Sequence, residues 1–239
     1  MIKRYLQAAS LLISAIGLLA SAHVVAEEKP TTTLSPFKAD YIAYVFGDDV
    51  GHATLELKHI AYDQYSLTYG SKVSKFFLTD KRNEHSIFRF NEGVISPKEY
   101  YYNRSGFGSD KQLTVKFDQD TQSILVDGER LKAWQEEFDN QLFRIDIPLQ
   151  LAAGNTQMEY DFINYRGEQR RYVIKTVGEE QLQLPYGTVD SIKMTVDRGS
   201  SSRVTYAWFS PSLDYTLVRL QQFKNGEEQG DIKLKSLQR

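Results

Sequence analysis

The 239 residues contain no cysteine, so disulfides, thiolate metal sites and a cysteine nucleophile are all excluded. Histidine is almost as scarce, at four, and tryptophan occurs twice. There is no surplus of positive charge: 29 basic residues stand against 31 acidic ones, a net of −2. Nucleic acid is therefore a poor partner, because phosphate binding needs clustered cations. The short basic pairs Lys81-Arg82 and Arg170-Arg171 read as solvated surface. No uninterrupted apolar run approaches the roughly 20 residues of a membrane-spanning helix. No period of fixed length recurs either, which excludes a solenoid or propeller.

What is present begins with an export signal. Lys3 and Arg4 precede an apolar run from Leu11 to Ala20, and small residues follow at Ala20-Ser21-Ala22 and again up to Ala26. This is the pattern of a cleavable signal peptide, residues 1–26, with cleavage after Ala22 or Ala26. No cysteine lies there to carry a lipid. The 239 residues less these 26 leave 213, with 27 basic residues once Lys3 and Arg4 are gone, against 31 acidic. An exported chain without disulfides suits the periplasm of a Gram-negative cell, held by packing and ladder hydrogen bonds. Residues 27–36 are polar and threonine-rich, a flexible lead into one domain over 37–239.

From Phe37 the apolar residues fall on alternate positions. Phe37, Ala39, Tyr41, Ala43 and Val45 share one face, and Ala53, Leu55 and Leu57 resume after turn residues at 47–51. Tyr65, Leu67 and Tyr69 follow, then Phe88 and Phe90, then Leu113, Val115 and Phe117. Ile192, Met194 and Val196 repeat the pattern, as do Val204, Tyr206 and Trp208. Asn225-Gly226 is the strongest hairpin signal. The fold expected is all-β and mainly antiparallel, with about a dozen short strands in a curved sheet, an open barrel or half-barrel. An outer-membrane barrel fits less well, because charges interrupt almost every strand. One region breaks the rhythm: over 139–154 the apolar spacing, a capping Asp139 and a terminating Gly154 predict a short helix, broken at Pro148.

Motifs for chemistry are missing. His52, His59 and His85 form no metal-ligand spacing. Asp118-Gln119-Asp120 starts like a calcium loop but lacks the next ligand, the glycine and the closing glutamate. Ser105 does not sit in a GxSxG elbow. These readings leave catalytic residues, metal ligands and cofactors all at none.

The sequence does resemble one family. Phe37-Lys38-Ala39-Asp40-Tyr41, Gly93-Val94-Ile95-Ser96-Pro97, Leu184-Pro185-Tyr186-Gly187 and above all Trp208-Phe209-Ser210-Pro211-Ser212-Leu213-Asp214-Tyr215 are similar to stretches of the DUF3108 family. Those are exported bacterial β-rich proteins of unknown function. The family usually has proline where Leu217 stands here. The resemblance implies a single periplasmic β domain, comparable with the half-barrels of lipoprotein carriers, and transfers no catalytic residue.

The positive signal is aromatic. Tyr100, Tyr102, Trp134, Tyr206, Trp208 and Tyr215 are candidates for a ligand surface, with Arg219 or Arg203 supplying an anion contact. The competing account is a tyrosine-rich sheet filling its own core. The function expected is non-enzymatic: a periplasmic binding or envelope-assembly protein holding an amphipathic ligand, whether lipid, glycan or peptide segment. A structural partner of an envelope complex and an envelope glycan or ester hydrolase are the alternatives. Partners expected are thus a small amphiphile or an envelope protein, with no nucleic acid and no membrane span after cleavage.

Overall fold

Alternation becomes strand wherever one face can be buried. Ala39, Tyr41 and Ala43, for example, all point into the core while their neighbours stay half-exposed. The structure, a computed structural model, describes residues 33–75, 78–199 and 202–239. The expected signal peptide and most of the lead at 27–36 lie outside those residues. Among the described residues no helix is long and apolar enough to cross a membrane.

Fifteen strands are seen. The first eight are β1 (Phe37–Val45), β2 (Asp48–Ala61), β3 (Gln64–Lys75), β4 (Leu78–Asn91), β5 (Val94–Gly106), β6 (Lys111–Asp118), β7 (Ser123–Val126) and β8 (Glu129–Ala133). After the short β9 (Phe138–Asp139) comes the helix α1 (Phe143–Ala152). The second half holds β10 (Gln157–Ile163), β11 (Gln169–Leu184), β12 (Gly187–Asp197), β13 (Arg203–Ser210), β14 (Thr216–Lys224) and β15 (Glu227–Gln238). The count exceeds the dozen expected, and β2, β4 and β11 run to 14, 14 and 16 residues.

All fifteen join one sheet in the order β8-β7-β6-β5-β4-β3-β2-β1-β15-β14-β13-β12-β11-β10-β9. Every pairing is antiparallel except β9 with β10. The first and last strands are zipped together in the middle, Lys38 opposite Gln238 and Tyr44 opposite Asp231. The sheet is not closed. Its two edges, β8 and β9, are separated by only Trp134–Glu137.

Side chains span this seam. The Lys132 ammonium donates to Glu137 and, at 3.0 Å, to Gln169 Oε1. The Trp134 indole N–H donates to the Glu137 carbonyl at 3.1 Å. Ile163, at the end of β10, is fully buried among Tyr100, Tyr102, Val115, Phe117 and Ile124. The turn that follows presses so closely on β7 that a Cβ at Gly167 would sit 2.8 Å from Val126 Cγ1.

The helix is continuous rather than broken at Pro148. Proline there has no N–H for the Arg144 carbonyl, yet packing on both sides holds the turn. Leu142 and Ile145 join the cluster of Ala39, Leu55 and Leu67. Ile147 and Leu151 join Phe162, Met194 and Phe209. One helix therefore ties the two halves of the sheet. The expected cap is not Asp139: the helix is preceded by Leu142 with no side-chain cap. Asp139, in β9, instead fixes the turn before it, accepting from the Gln141 and Leu142 N–H groups at 2.8 and 3.2 Å. Gly154 follows the helix end with φ +84°.

Candidate functional site

The seven residues read from the sequence fall in three separate places. Tyr100, Tyr102 and Trp134 belong to the core beside the seam. The Tyr100 hydroxyl donates to Glu84 Oε2 at 2.7 Å, and burial, then the Glu84 charge, pushes its pKa well up. Tyr102 packs on Tyr165 at 5.3 Å and Trp134 on Phe117 at 5.7 Å.

Tyr206, Trp208 and Arg219 sit in a ladder across the second half of the sheet. Lys193, Trp208, Arg219 and Lys233 lie directly opposite one another on β12 to β15, so they share a face. The Lys193 ammonium lies 4.8 Å from the Tyr206 ring and 5.0 Å from the Trp208 ring, with Arg219 4.7 Å from the latter. The indole N–H of Trp208 donates to Glu180 Oε1 at 2.6 Å. Arg219 is bound in a fork to Asp231, Nε to Oδ1 at 2.9 Å and a terminal nitrogen to Oδ2 at 2.8 Å. Tyr215 stands apart, in a left-handed turn position with φ +54° that packs beside Leu217. Arg203, the other anion candidate, is exposed at the start of β13.

A different set of residues forms the slot that could admit a ligand. It is a cavity of about 180 Å³ between α1 and the ends of β1, β2 and β14. Its walls are mainly apolar: Phe37, Tyr41, Leu55, Leu57, Ile145 and Leu149. Strand alternation aims the first four into it, and the helical spacing of Ile145, Pro148 and Leu149 supplies the facing wall. Thr33, Leu34 and Ser35, which have no regular structure, form another wall. Arg239 lies at the slot, paired with Asp214 and bonded to the Leu213 carbonyl.

Arg144 is the charged group that α1 contributes to the wall. Its guanidinium has one long hydrogen bond, to Gln141 Oε1 at 3.4 Å, and lies 3.7 Å from Glu84 Oε1 and 4.8 Å from the Tyr69 ring. The other Glu84 oxygen, Oε2, accepts from the Tyr100 hydroxyl and, at 2.6 Å, from the Asn140 amide, which leaves Oε1 to its ion pair with Arg144. Arg144 thus has one long hydrogen bond and one loose ion pair for its five N–H donors, and it lines the slot. A guanidinium with spare donors beside apolar walls suits an anionic group attached to a chain. The sequence did contain a signal for it. Arg144 is the one cation in Phe143–Ala152, a segment otherwise rich in apolar residues.

Next to this network Asp139 is fully buried, and burial pushes its carboxyl up to about 7 against the pull of the Gln141 and Leu142 N–H groups. Its Oδ2 has no hydrogen-bond partner among the described residues. Among the described residues no three His, Asp or Glu side chains gather as metal ligands.

With the geometry in place, comparison with known proteins is informative about family and fold. The family model for the protein of unknown function DUF3108 matches residues 37–233. The chain belongs to the DUF3108 family. No curated protein matches the sequence. Among solved structures, the DUF3108 chain is similar to a β-barrel-like protein of the domain of unknown function DUF1849 from Brucella abortus. The TM-score is 0.56 at 10% identity, over 86% of this chain and 98% of that one. That likeness shows the fold alone. A candidate lipoprotein from Parabacteroides distasonis also matches, at TM-score 0.37 and 11% identity over 86% and 96% of the two chains.

Proposed function

We propose that this DUF3108 protein is a non-enzymatic binding protein of the bacterial envelope that holds a single-chain amphiphile by its anionic end. The observation that carries this reading is Arg144 in the wall of a mainly apolar slot, with one long hydrogen bond and a loose ion pair to Glu84. The anionic group meets the guanidinium, and the first part of the chain lies between α1 and β1–β2. The leader pattern at residues 1–26 supports the envelope as its place of work.

The volume limits the ligand. About 180 Å³ is below the ~300 Å³ at which ligand pockets usually begin. A longer chain enters by displacing Leu34, whose segment Thr33–Ser35 has no regular structure.

Displacement of a fluorescent fatty acid by laurate and lysophosphatidylglycerol tests the reading. Both should bind, Arg144→Gln should weaken binding about tenfold, and Leu149→Phe should shorten the chain accepted. Absence of binding to the unmodified protein, or equal binding by Arg144→Gln, overturns the proposal.

A further inference from the structure

A second depression lies on a different part of the sheet, over β3, β4, β5 and β6, with a volume of about 270 Å³. Register makes it a grid of two rows. Thr68, His85, Tyr101 and Thr114 are directly opposite one another across the four strands. Gly70, Asn83, Asn103 and Gln112 form the next row in the same way. None of these positions carries Lys, Arg, Asp or Glu, in a chain where a quarter of the residues are charged. Glu84 borders the depression, but its carboxylate is engaged by Tyr100 and Asn140.

The chemistry of the grid is specific. The side-chain amides of Asn83, Asn103 and Gln112 have no hydrogen-bond partner among the described residues, and all three are exposed. Each amide offers a donor and an acceptor side by side. Beside them the Tyr101 ring is 39% exposed and stacks at 6.3 Å on His85. His85 is fixed by Thr68, Oγ1 to Nδ1 at 2.9 Å. Paired donors and acceptors without charge, next to an aromatic face, match a ring that carries hydroxyl groups on its rim and C–H groups on its face.

Gly70 supplies the second observation. Its φ is not positive, so the backbone does not require glycine. A Cβ built there would meet only Asn83 Oδ1, at 3.5 Å, an ordinary contact. Glycine inside a strand nonetheless costs about 0.5–1 kcal/mol relative to alanine. Glycine there leaves the side chain of Asn83, which lines the depression, without a neighbour on β3.

We propose that this grid on β3–β6 is a binding site for an uncharged saccharide, with Tyr101 as stacking platform and Asn83, Asn103 and Gln112 as the hydroxyl-reading groups. The site is separate from the slot at Arg144 and does not depend on it.

Saturation-transfer and amide-shift NMR with N,N′-diacetylchitobiose and maltotriose, at millimolar concentrations, tests the proposal. The expected result is shifts confined to the amides of this grid. Gly70→Val should abolish them while leaving the protein folded and at least as heat-stable, because valine suits a strand. Tyr101→Ala should weaken binding at least tenfold with an unchanged circular dichroism spectrum. The proposal is overturned if neither sugar shifts these amides or if Gly70→Val binds as well as the parent. Tighter binding of glucuronate than of the neutral sugars overturns it too.

Discussion

Arg219 and Asp231 form a two-pronged ion pair across β14 and β15, at 2.9 and 2.8 Å, in which the carboxylate is almost wholly buried. The arginine that the sequence offers as a ligand contact is thus already occupied, capped by the Trp208 ring on its other side. Truncating one partner leaves the other charge desolvated. Asp231→Ala should lower the unfolding free energy by about 3 kcal/mol, the cost of breaking a buried pair, as read from urea denaturation. An equal stability for the variant would show that Lys233, 3.5 Å from the same carboxylate, needs no such partner either.

Asp139 should give the protein an unusual pH dependence. Its carboxyl is raised from an ordinary 3.8 to about 7 in the folded state. Between those values the folded chain holds a proton that the unfolded chain has released. Stability from this group is therefore full below about pH 4 and falls as pH rises toward 7, by on the order of 4 kcal/mol. Asp139→Asn should flatten that slope and be more stable than the parent at pH 8, measured by denaturant midpoints across the range.

Glu137 at the seam works in the opposite sense. Burial would raise its pKa, but the Lys132 ammonium and the Gln135 N–H together hold it below the usual 4.5. Its contribution is present above about pH 4.5 and is lost as pH falls below that. Hydrogen exchange should therefore quicken at β8 and β9 in mild acid before it does at β1 and β15, and Glu137→Gln should show the faster exchange already at neutral pH.

Two strand glycines should respond differently to the same substitution. At Gly51 the φ is +151° and a Cβ would lie 2.0 Å from the Lys72 carbonyl oxygen. At Gly70 nothing comes closer than 3.5 Å. Gly51→Ala should cost more than about 3 kcal/mol or prevent folding, whereas Gly70→Ala should stabilise by about 0.5 kcal/mol. Thermal melts of the two variants decide it.

The parts of the fold that read clearly were those where a local rule suffices. Asn225-Gly226, with φ of +52° and +83°, makes the hairpin its dipeptide announces. Pro97 shows the rule and its limit: it lies inside β5, at a register shift against β4, and β6 begins pairing only at Glu99. A missing donor harms no ladder there. The seam, by contrast, is set by contacts such as Gly167 on Val126, far apart in the chain and silent in any local pattern. The candidate site escaped for a similar reason. Trp208 and Arg219 draw the eye as residue types, yet they satisfy each other and Asp231. Arg144 looks ordinary until three-dimensional packing places it in the wall of a mainly apolar slot, with only a long hydrogen bond to Gln141 and a loose ion pair to Glu84.

The pairing of β1 with β15 also governs when the chain can fold. Lys38 finds its partner Gln238 two hundred residues later, so the central ladder cannot form until β15 has been made. Contacts of such long sequence separation make folding slow. The consecutive hairpins from β1 to β8 need no such wait, so the two halves of the sheet can each begin locally while the joint between them closes last.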